Sequence, residues 1–251
     1  MTGTTSSDDH ALAAEVAADA GRLLVAIRAA HDGRDPKRLR DEGDHRAHER
    51  ILELLAVARP YDPVLSEEGL DDDRRLGAER VWVVDPLDGT REYAEAGRTD
   101  WAVHVALVVD GVAAIGAVAL PAEGVVLATR PAPPAPPTRA GPLRVVTSRT
   151  RHPSESVAVA EALGAEVVAL GSAGAKAMAV VRGQVDAYVH AGGMYQWDSA
   201  APVAVAAAAG LHVSRIDGSP LVYNQPEAYL PDLLVCRTEL AGTCLAALAD
   251  A

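Results

Sequence analysis

Phenylalanine is absent from this chain of 251 residues, and aromatic side chains are limited to three tryptophans and six tyrosines. A core must therefore be filled by alanine, valine and leucine, and a hydrophobic content of 49% makes that core sizeable. Cysteine occurs twice, as Cys236 and Cys244, in neither a CxxC pair nor a zinc spacing. That excludes a disulfide scaffold, and a reduced cytosolic protein is the simplest reading. Positive charge is in deficit, with 23 basic residues against 35 acids and a net charge of -12. Such a surface argues against gripping nucleic acid. It would also repel a phosphorylated metabolite unless a divalent cation reversed the local field. No apolar run suits a membrane span, because the alanine-rich stretch 200–210 is too short and contains Pro202. "MTGTTSSDDH" lacks a basic n-region and an apolar h-region, so no signal peptide and a cytoplasmic location are expected.

What is present divides the chain. Ser7, Asp8 and Asp9 form a helix start, and Leu12, Val16, Leu23, Leu24 and Ile27 follow a helical period over 8–30. "HDGRDPKRLRDEGDH" reads as a charged loop, and a second helix is expected over about 45–58 with Asp44 as its cap. Short strands near 63–66 and 81–84 precede a hairpin, "WAVHVALVV" and "VAAIGAVAL", turned at Asp110-Gly111. "GVVLATR" offers a further strand. "RPAPPAPPTRAGP", with six prolines in thirteen residues, reads as an extended connector. Beyond it strands and helices alternate: "LRVVTS", 153–164, "EVVAL", 174–183, "VDAYVH", 197–209, "LLVC" and a last helix from about 238. The pattern predicts an α/β protein with an N-terminal subdomain over 1–130, a connector over 131–142 and a C-terminal subdomain over 143–251.

The chemistry gathers at "VVDPLDGTRE". Asp85 follows a valine run, Pro86 holds the chain extended, and Asp88, Gly89 and Thr90 start a helix. Free amides at such a start suit phosphate oxygens, and Gly89 allows close approach. Two carboxylates beside them would repel that phosphate. A bridging Mg²⁺ removes the conflict, since hard oxygen ligands and phosphate both suit it. Glu67 after a short strand and Asp198 at the start of an alanine-rich helix are placed to join. Each acid alone has a plainer reading: Asp88 and Asp198 as helix caps, Glu67 with Glu68 as a solvated turn, Asp85 as half of an ion pair.

Other groups carry less. His45 and His48 read as a solvated helix face, His104 as a satisfied core histidine, "DDD" at 71–73 as a solvated loop and Met178 as packing. Lys176, Ser148 and Arg149 are candidates for a nucleotide's sugar or second phosphate, against the alternative of plain surface residues. Ser172 and Gly174 are either a turn or a place of close ligand approach.

Taken together, the Glu-Glu pair at 67 and 68, "VVDPLDGT" at 83–90, "GSAGAKAMAVVRGQVDAY" at 171–188 and "QWDSAAP" at 196–202 resemble the Mg²⁺-dependent, lithium-sensitive phosphatases related to inositol monophosphatase. The resemblance covers nearly the whole chain. Within that family, "TSRTRH" at 147–152 and the C-terminal half look closest to actinobacterial CysQ-type 3'(2'),5'-bisphosphate nucleotidases. The resemblance implies a layered αβαβα sandwich. It also implies removal of the 3'-phosphate from adenosine 3',5'-bisphosphate and the related phosphosulfate, in sulfate assimilation. By the same resemblance, Glu67, Asp85 and the Leu87 carbonyl would hold a first Mg²⁺, and Asp85, Asp88 and Asp198 a second. A third ion near Glu67 would be held mainly by water. Thr90, helped by Asp44, would orient or deprotonate the attacking water. The amides of Gly89 and Thr90 would bind phosphate, with Asp88, Ser172 and Asp198 also lining the substrate site. A homodimer is compatible with all of this.

Three rivals remain. A haloacid-dehalogenase phosphatase would place its aspartates two apart near the start of the chain, whereas these are three apart with a proline between. Within the family, inositol monophosphate or fructose 1,6-bisphosphate could be the substrate. A non-catalytic metabolite-binding protein would be expected to lack a metal acid, and none is missing here.

Overall fold

The computed structural model describes residues 7–137, 141–151 and 153–251. The expectations for the first six residues, the end of the proline connector and His152 lie outside the described residues.

Helix α1 spans Ser7–Ala30 and α2 spans Pro36–Ala58. The second helix begins nine residues before the expected start. Asp35 caps it by accepting from the Arg38 amide at 3.0 Å, and Pro36 occupies the first turn, where its missing donor costs nothing. The charged stretch expected as a loop is therefore mostly helix, and Asp44 is a buried residue of its interior rather than a cap. Gly43 is tolerated in mid-helix because the Tyr93 ring lies against it. His48 is likewise buried, bonded through Nδ1 to Ser66 Oγ at 2.9 Å, while His45 stays exposed beside Glu49.

Strands β1 (Val64–Ser66), β2 (Arg80–Asp88), β3 (Ala102–Val109), β4 (Val112–Leu120) and β5 (Val125–Ala128) form one sheet in that order, with the short helix α3 (Thr90–Ala94) after β2. Asp110 and Gly111 turn the β3–β4 hairpin with φ of 49° and 79°, the left-handed pair that a two-residue turn needs. Residues 71–73 are not simply a solvated loop, since Asp71 clamps the buried Arg75 through two guanidinium bonds of 2.6 and 2.8 Å.

The second sheet contains β6 (Arg144–Ser148), β7 (Glu166–Leu170), β8 (Ala187–Tyr195), β9 (His212–Ser214) and β10 (Tyr229–Cys236), in the order β7-β6-β8-β10-β9. Its helices are α4 (Ser154–Leu163), α5 (Ala173–Val181), α6 (Gln196–Ala208) and α7 (Ala241–Ala249).

Alternation along β2 shows how the layers stack. Trp82 and Val84 pack with Val16, Ala20, Leu24, Ile51 and Leu55 of α1 and α2. Val81 and Val83 face the other way, into a core shared with Met178 of α5, Ala201 and Val205 of α6, and Tyr188 and Leu233 of the second sheet. On that sheet's far face, Val145, Val189 and Leu234 pack with Val159 of α4 and Leu248 of α7. Both sheets are covered on both faces, so the valine runs need no polar alternation. The result is the five-layer αβαβα sandwich. Alanines at 200, 201, 204 and 206 are buried in α6, which lets that helix lie close to β4 in a core without phenylalanine.

Candidate active site

Asp85 and Asp88 are three residues apart, and in a regular strand such positions face opposite sides. Here β2 does not end at Val84 but continues to Asp88, with Asp85 opposite His104 and Asp88 opposite Ala102. Three steps on β2 thus match two on β3. That is a bulge, placed where Pro86 cannot donate to the ladder. The extra residue restores parity, so both carboxylates face the layer between the sheets. Leu87, whose side chain is buried core, donates its amide to Asp85 Oδ1 at 3.0 Å.

Parallel pairing brings in the next acid. β1 runs alongside β2 with Ser66 opposite Val84, so Glu67 leaves its strand beside Asp85. Asp198 comes from α6, where Oδ2 accepts from the Tyr195 amide at 2.6 Å and fixes the carboxyl at the helix start. Oxygens of Asp85, Asp88 and Asp198 lie within 4.8 Å of one another. Glu67 lies outside this triad, exposed at the end of β1 but near enough for its charge to act on Asp85, and Asp44 approaches from α2 within the field of Glu67 and Glu68.

These acids do not titrate alike. Burial and then the charges of Glu67, Asp88 and Asp198 push Asp85 well above the usual carboxylate range. Burial, followed by the Asp88 charge, raises Asp198 to about 6. Glu67 rises to about 7 through loss of water around its carboxyl and then the charge of Asp198. Asp44 rises to about 8 through burial and then Glu67. Asp88 goes the other way. Burial opposes its ionisation, yet the His104 contact, the Lys176 charge and the Ser172 hydroxyl hold it below the usual range. Ser172 Oγ donates to Asp88 at 2.5 Å, and the amides of Ala173 and Gly174 donate at 3.1 and 2.6 Å.

Two carboxylate oxygens, Asp85 Oδ2 and Asp44 Oδ1, are buried without a hydrogen-bond partner among the described residues. Orphaned hard oxygens amid several acids are the donor set a divalent cation takes. The residues present therefore fit a Mg²⁺ centre.

Gly89 links the acids to α3 at φ 86°, a left-handed conformation that suits glycine. A Cβ there would also meet Ser172 Cβ at 3.0 Å and the Asp100 carbonyl at 3.2 Å. Thr90 follows as the first residue of α3, half-buried, and among the described residues no hydrogen bond joins it to Asp44.

Of the candidate substrate contacts, Lys176 is buried. Its ammonium donates to the carbonyls of Gly171 and Ser172 at 3.1 and 2.6 Å and lies 5.3 Å from the Tyr188 ring centroid. Burial lowers its pKa to about 8, against the pull of Asp88. Arg149, another candidate for a substrate contact, binds Glu92 and Glu95 at 2.5 and 2.7 Å. Ser148 stands at the end of β6 and lines a cavity of about 440 Å³ together with Asp88, Lys176 and Asp198.

Sequence reasoning passed over several residues of this site. His104 is buried as expected, but it faces the acids. Its Nε2 stands 3.2 Å from Asp88 Oδ2, off the hydrogen-bond line, and Nδ1 is 3.1 Å from the Trp197 carbonyl. Arg151, His190, Tyr195 and Tyr229 line the same cavity. A polar residue inside an apolar strand was the available signal for His104, and nothing local marked the others.

Comparison with known proteins agrees with this geometry. The chain is 51% identical over 241 residues to a Mycobacterium bovis protein described as 3'-phosphoadenosine 5'-phosphate phosphatase, covering 93% of this chain and 90% of that one. It is 31% identical to Escherichia coli "3'(2'),5'-bisphosphate nucleotidase CysQ", over 86% of this chain and 94% of the relative. Among solved structures, CysQ from Bacteroides thetaiotaomicron superposes with a TM-score of 0.77 at 26% identity, covering 92% of this chain and 97% of that one. The model of the inositol monophosphatase family matches residues 10–250, and the chain belongs to that family.

Proposed function

We propose that this protein is a metal-dependent phosphomonoesterase that removes the 3'-phosphate of adenosine 3',5'-bisphosphate. The observation that carries the reading is the meeting of Asp85, Asp88 and Asp198 oxygens within 4.8 Å, with an orphaned Asp85 Oδ2 among them. The two relatives whose names specify this nucleotide chemistry support the choice of substrate.

Bound Mg²⁺ would supply charge neutralisation and Lewis-acid activation of water at this cluster. Glu67, Asp85 and the Leu87 carbonyl would hold one ion, and Asp85, Asp88 and Asp198 another. A third would stand near Glu67. The amides of Gly89 and Thr90 would bind phosphate oxygens as they leave the strand. The Thr90 hydroxyl would orient or deprotonate the attacking water, helped by the Asp44 carboxylate once bound cations favour its ionised form. Asp88, kept ionised by Ser172 and the start of α5, would offer a fixed anion at neutral pH.

The reading carries with it lithium sensitivity, a place in sulfate assimilation and a cytoplasmic setting. Among the described residues no helix is long and apolar enough to cross a membrane. Phosphate release from the nucleotide, inositol 1-phosphate and fructose 1,6-bisphosphate, each with and without Mg²⁺ and Li⁺, tests it. The nucleotide should be preferred, Mg²⁺ required and Li⁺ inhibitory. Preference for either sugar phosphate would reassign the substrate. No Mg²⁺-dependent release from any of the three would remove the enzyme reading.

A further inference from the structure

We infer that Glu92 and Arg149 form a clasp between α3 and the second sheet that aims the Thr90 hydroxyl, with Arg149 a positioning residue rather than a substrate contact. This deepens the proposed reaction and rests on the role it gives Thr90.

Thr90 opens α3, a helix of five residues that follows Gly89 at φ 86°. A helix that short does not hold itself, and a glycine before it fixes little. The direction of the Thr90 hydroxyl is therefore set by what grips α3 further along. Two of its residues are buried, Glu92 and Tyr93. Tyr93 grips the first helical layer: its hydroxyl donates to the Leu24 carbonyl at 2.8 Å, and its ring meets Trp101 edge-on. One anchor alone leaves so short a helix free to turn about it.

Glu92 supplies the second anchor. Arg149 Nε donates to Glu92 Oε1 at 2.5 Å and Nη2 to Glu95 Oε2 at 2.7 Å, so one guanidinium spans two acids about a turn apart. Charge-assisted bonds of this kind are strong and directional. Arg149 is itself held at the end of the β6–β7 pair, where its amide donates to the Leu170 carbonyl at 3.0 Å. Gly171 completes the seat, because a Cβ there would overlap the Glu92 side chain. The Gly171 amide donates at 2.6 Å to Asp100, which Arg98 holds in turn. Thr90 is thus tied to the same 171–172 turn that steadies Asp88 through Ser172. Ser148 and Arg151 line the acidic cavity, whereas Arg149 turns to α3.

The test is steady-state kinetics of the full chain on adenosine 3',5'-bisphosphate in saturating Mg²⁺. Arg149→Met, Arg149→Lys and Gly171→Ala are each compared with wild type, and each is repeated in a Thr90→Ala background. Amide hydrogen exchange over residues 90–95 is followed in the metal-free proteins. Arg149→Met should lower kcat about tenfold or more, as misplacement of a reacting group does. KM should change by less than about twofold, since ground-state binding is not touched. Lysine should recover part of kcat, because it keeps the charge and loses the fork. Gly171→Ala should lower kcat as methionine does, though it removes no charge, and it carries the test if Arg149→Met does not fold. Amides of α3 should exchange faster in both. In the Thr90→Ala background none of the three should lower kcat further, because all act through that hydroxyl. An unchanged kcat in Arg149→Met and Gly171→Ala overturns the inference and leaves the proposed function standing, and so does an undiminished further loss in the Thr90→Ala background. A Thr90→Ala variant as active as wild type, or a wild type without Mg²⁺-dependent phosphate release, overturns the role of Thr90 and the inference with it.

Discussion

Ser172 donates its hydroxyl to Oδ2 of Asp88 at 2.5 Å across 84 positions of sequence, tying the bulged strand β2 to the start of α5. The same oxygen of Ser172 accepts from the Ala175 amide at 2.9 Å, so one side chain both caps a helix and steadies a site carboxylate. Ser172 does this at φ 47°, a conformation that costs an L-residue energy. Ser172→Ala should therefore destabilise the metal-free chain by about 2–3 kcal/mol, the sum expected for a cap and a hydrogen bond to a charge. Ser172→Gly loses the same bonds but relieves the backbone, so its loss should be smaller. Urea denaturation of the three proteins checks the order. A glycine variant weaker than the alanine variant would contradict the strain argument.

Asp85 and Asp88 are neighbours of opposite electrostatic character, and their amide variants should separate stability from activity. Asp85 is buried among like charges with one oxygen unpartnered, so Asp85→Asn should stabilise the metal-free protein. Asp88 is stabilised as an anion by His104, Lys176 and Ser172, so Asp88→Asn should destabilise it. On the proposed assignment, both variants lose a carboxylate oxygen that would hold Mg²⁺. Phosphate release should fall about a hundredfold or more in each, and Mg²⁺ should no longer raise the melting temperature appreciably. Thermal melts with and without Mg²⁺ read all of this, and equal and opposite stability changes are not required, only opposite signs.

Much of this site was legible because Glu67, Asp85 and Asp198 each come at or just after apolar residues in the sequence. Val83-Val84 before Asp85 marks the core-facing strand that carries it, although that strand runs on to Asp88, and the strand before Glu67 marks a true element end. The Asp110-Gly111 turn was legible for the same local reason, a backbone demand that few residues meet. The parity of Asp85 and Asp88 was not legible, since it depends on a bulge defined against β3. The start of α2 was misplaced because "KRLRDEGDH" has almost no apolar period, and its helical state owes more to Asp35-Pro36 and to burial of Leu39 and Ala47 than to amphipathicity. Arg149 and Arg151 look alike in sequence. What separates them is Glu92, 57 residues away from Arg149. Strand β9 has three residues, too few for any period to show.

The raised acids predict how stability responds to pH. Glu67 at about 7 and Asp44 at about 8 hold protons in the folded chain that the unfolded chain has released above its ordinary carboxylate range near 4. Between those limits the folded state binds more protons, so its stability falls as pH rises. Without metal, the melting temperature should therefore drop from pH 6.5 to 8.5. Mg²⁺ should recover more at pH 8.5 than at pH 6.5, because bound cations favour the ionised acids. Asp44→Asn should flatten the metal-free slope. A metal-free melting temperature that climbs over this window would show that Asp44 and Glu67 are ionised in the apo fold.

Gly116 on β4 offers a test of how packing places Asp198. A Cβ at this position would lie 2.5 Å from the Ala201 carbonyl and 2.9 Å from the Ala204 Cβ, both on α6. Neither is the end of a flexible side chain, so the helix itself must move away from the sheet. Overpacking of this kind costs about 1–3 kcal/mol. The same helix carries Asp198 in its first turn, within 4.8 Å of Asp85 and Asp88. A displacement that loosens the core should therefore also separate Asp198 from its two partners. Gly116→Ala is expected to lower both the urea midpoint and the affinity for Mg²⁺, although residue 116 supplies no ligand. Calorimetric titration at a temperature where the variant is fully folded separates the two effects. Weakened metal binding in a folded variant would show that the closeness of α6 to β4 sets the geometry of the acids. Unchanged binding would mean that the Tyr195 amide, at 2.6 Å from Asp198 Oδ2, holds the carboxylate in place by itself.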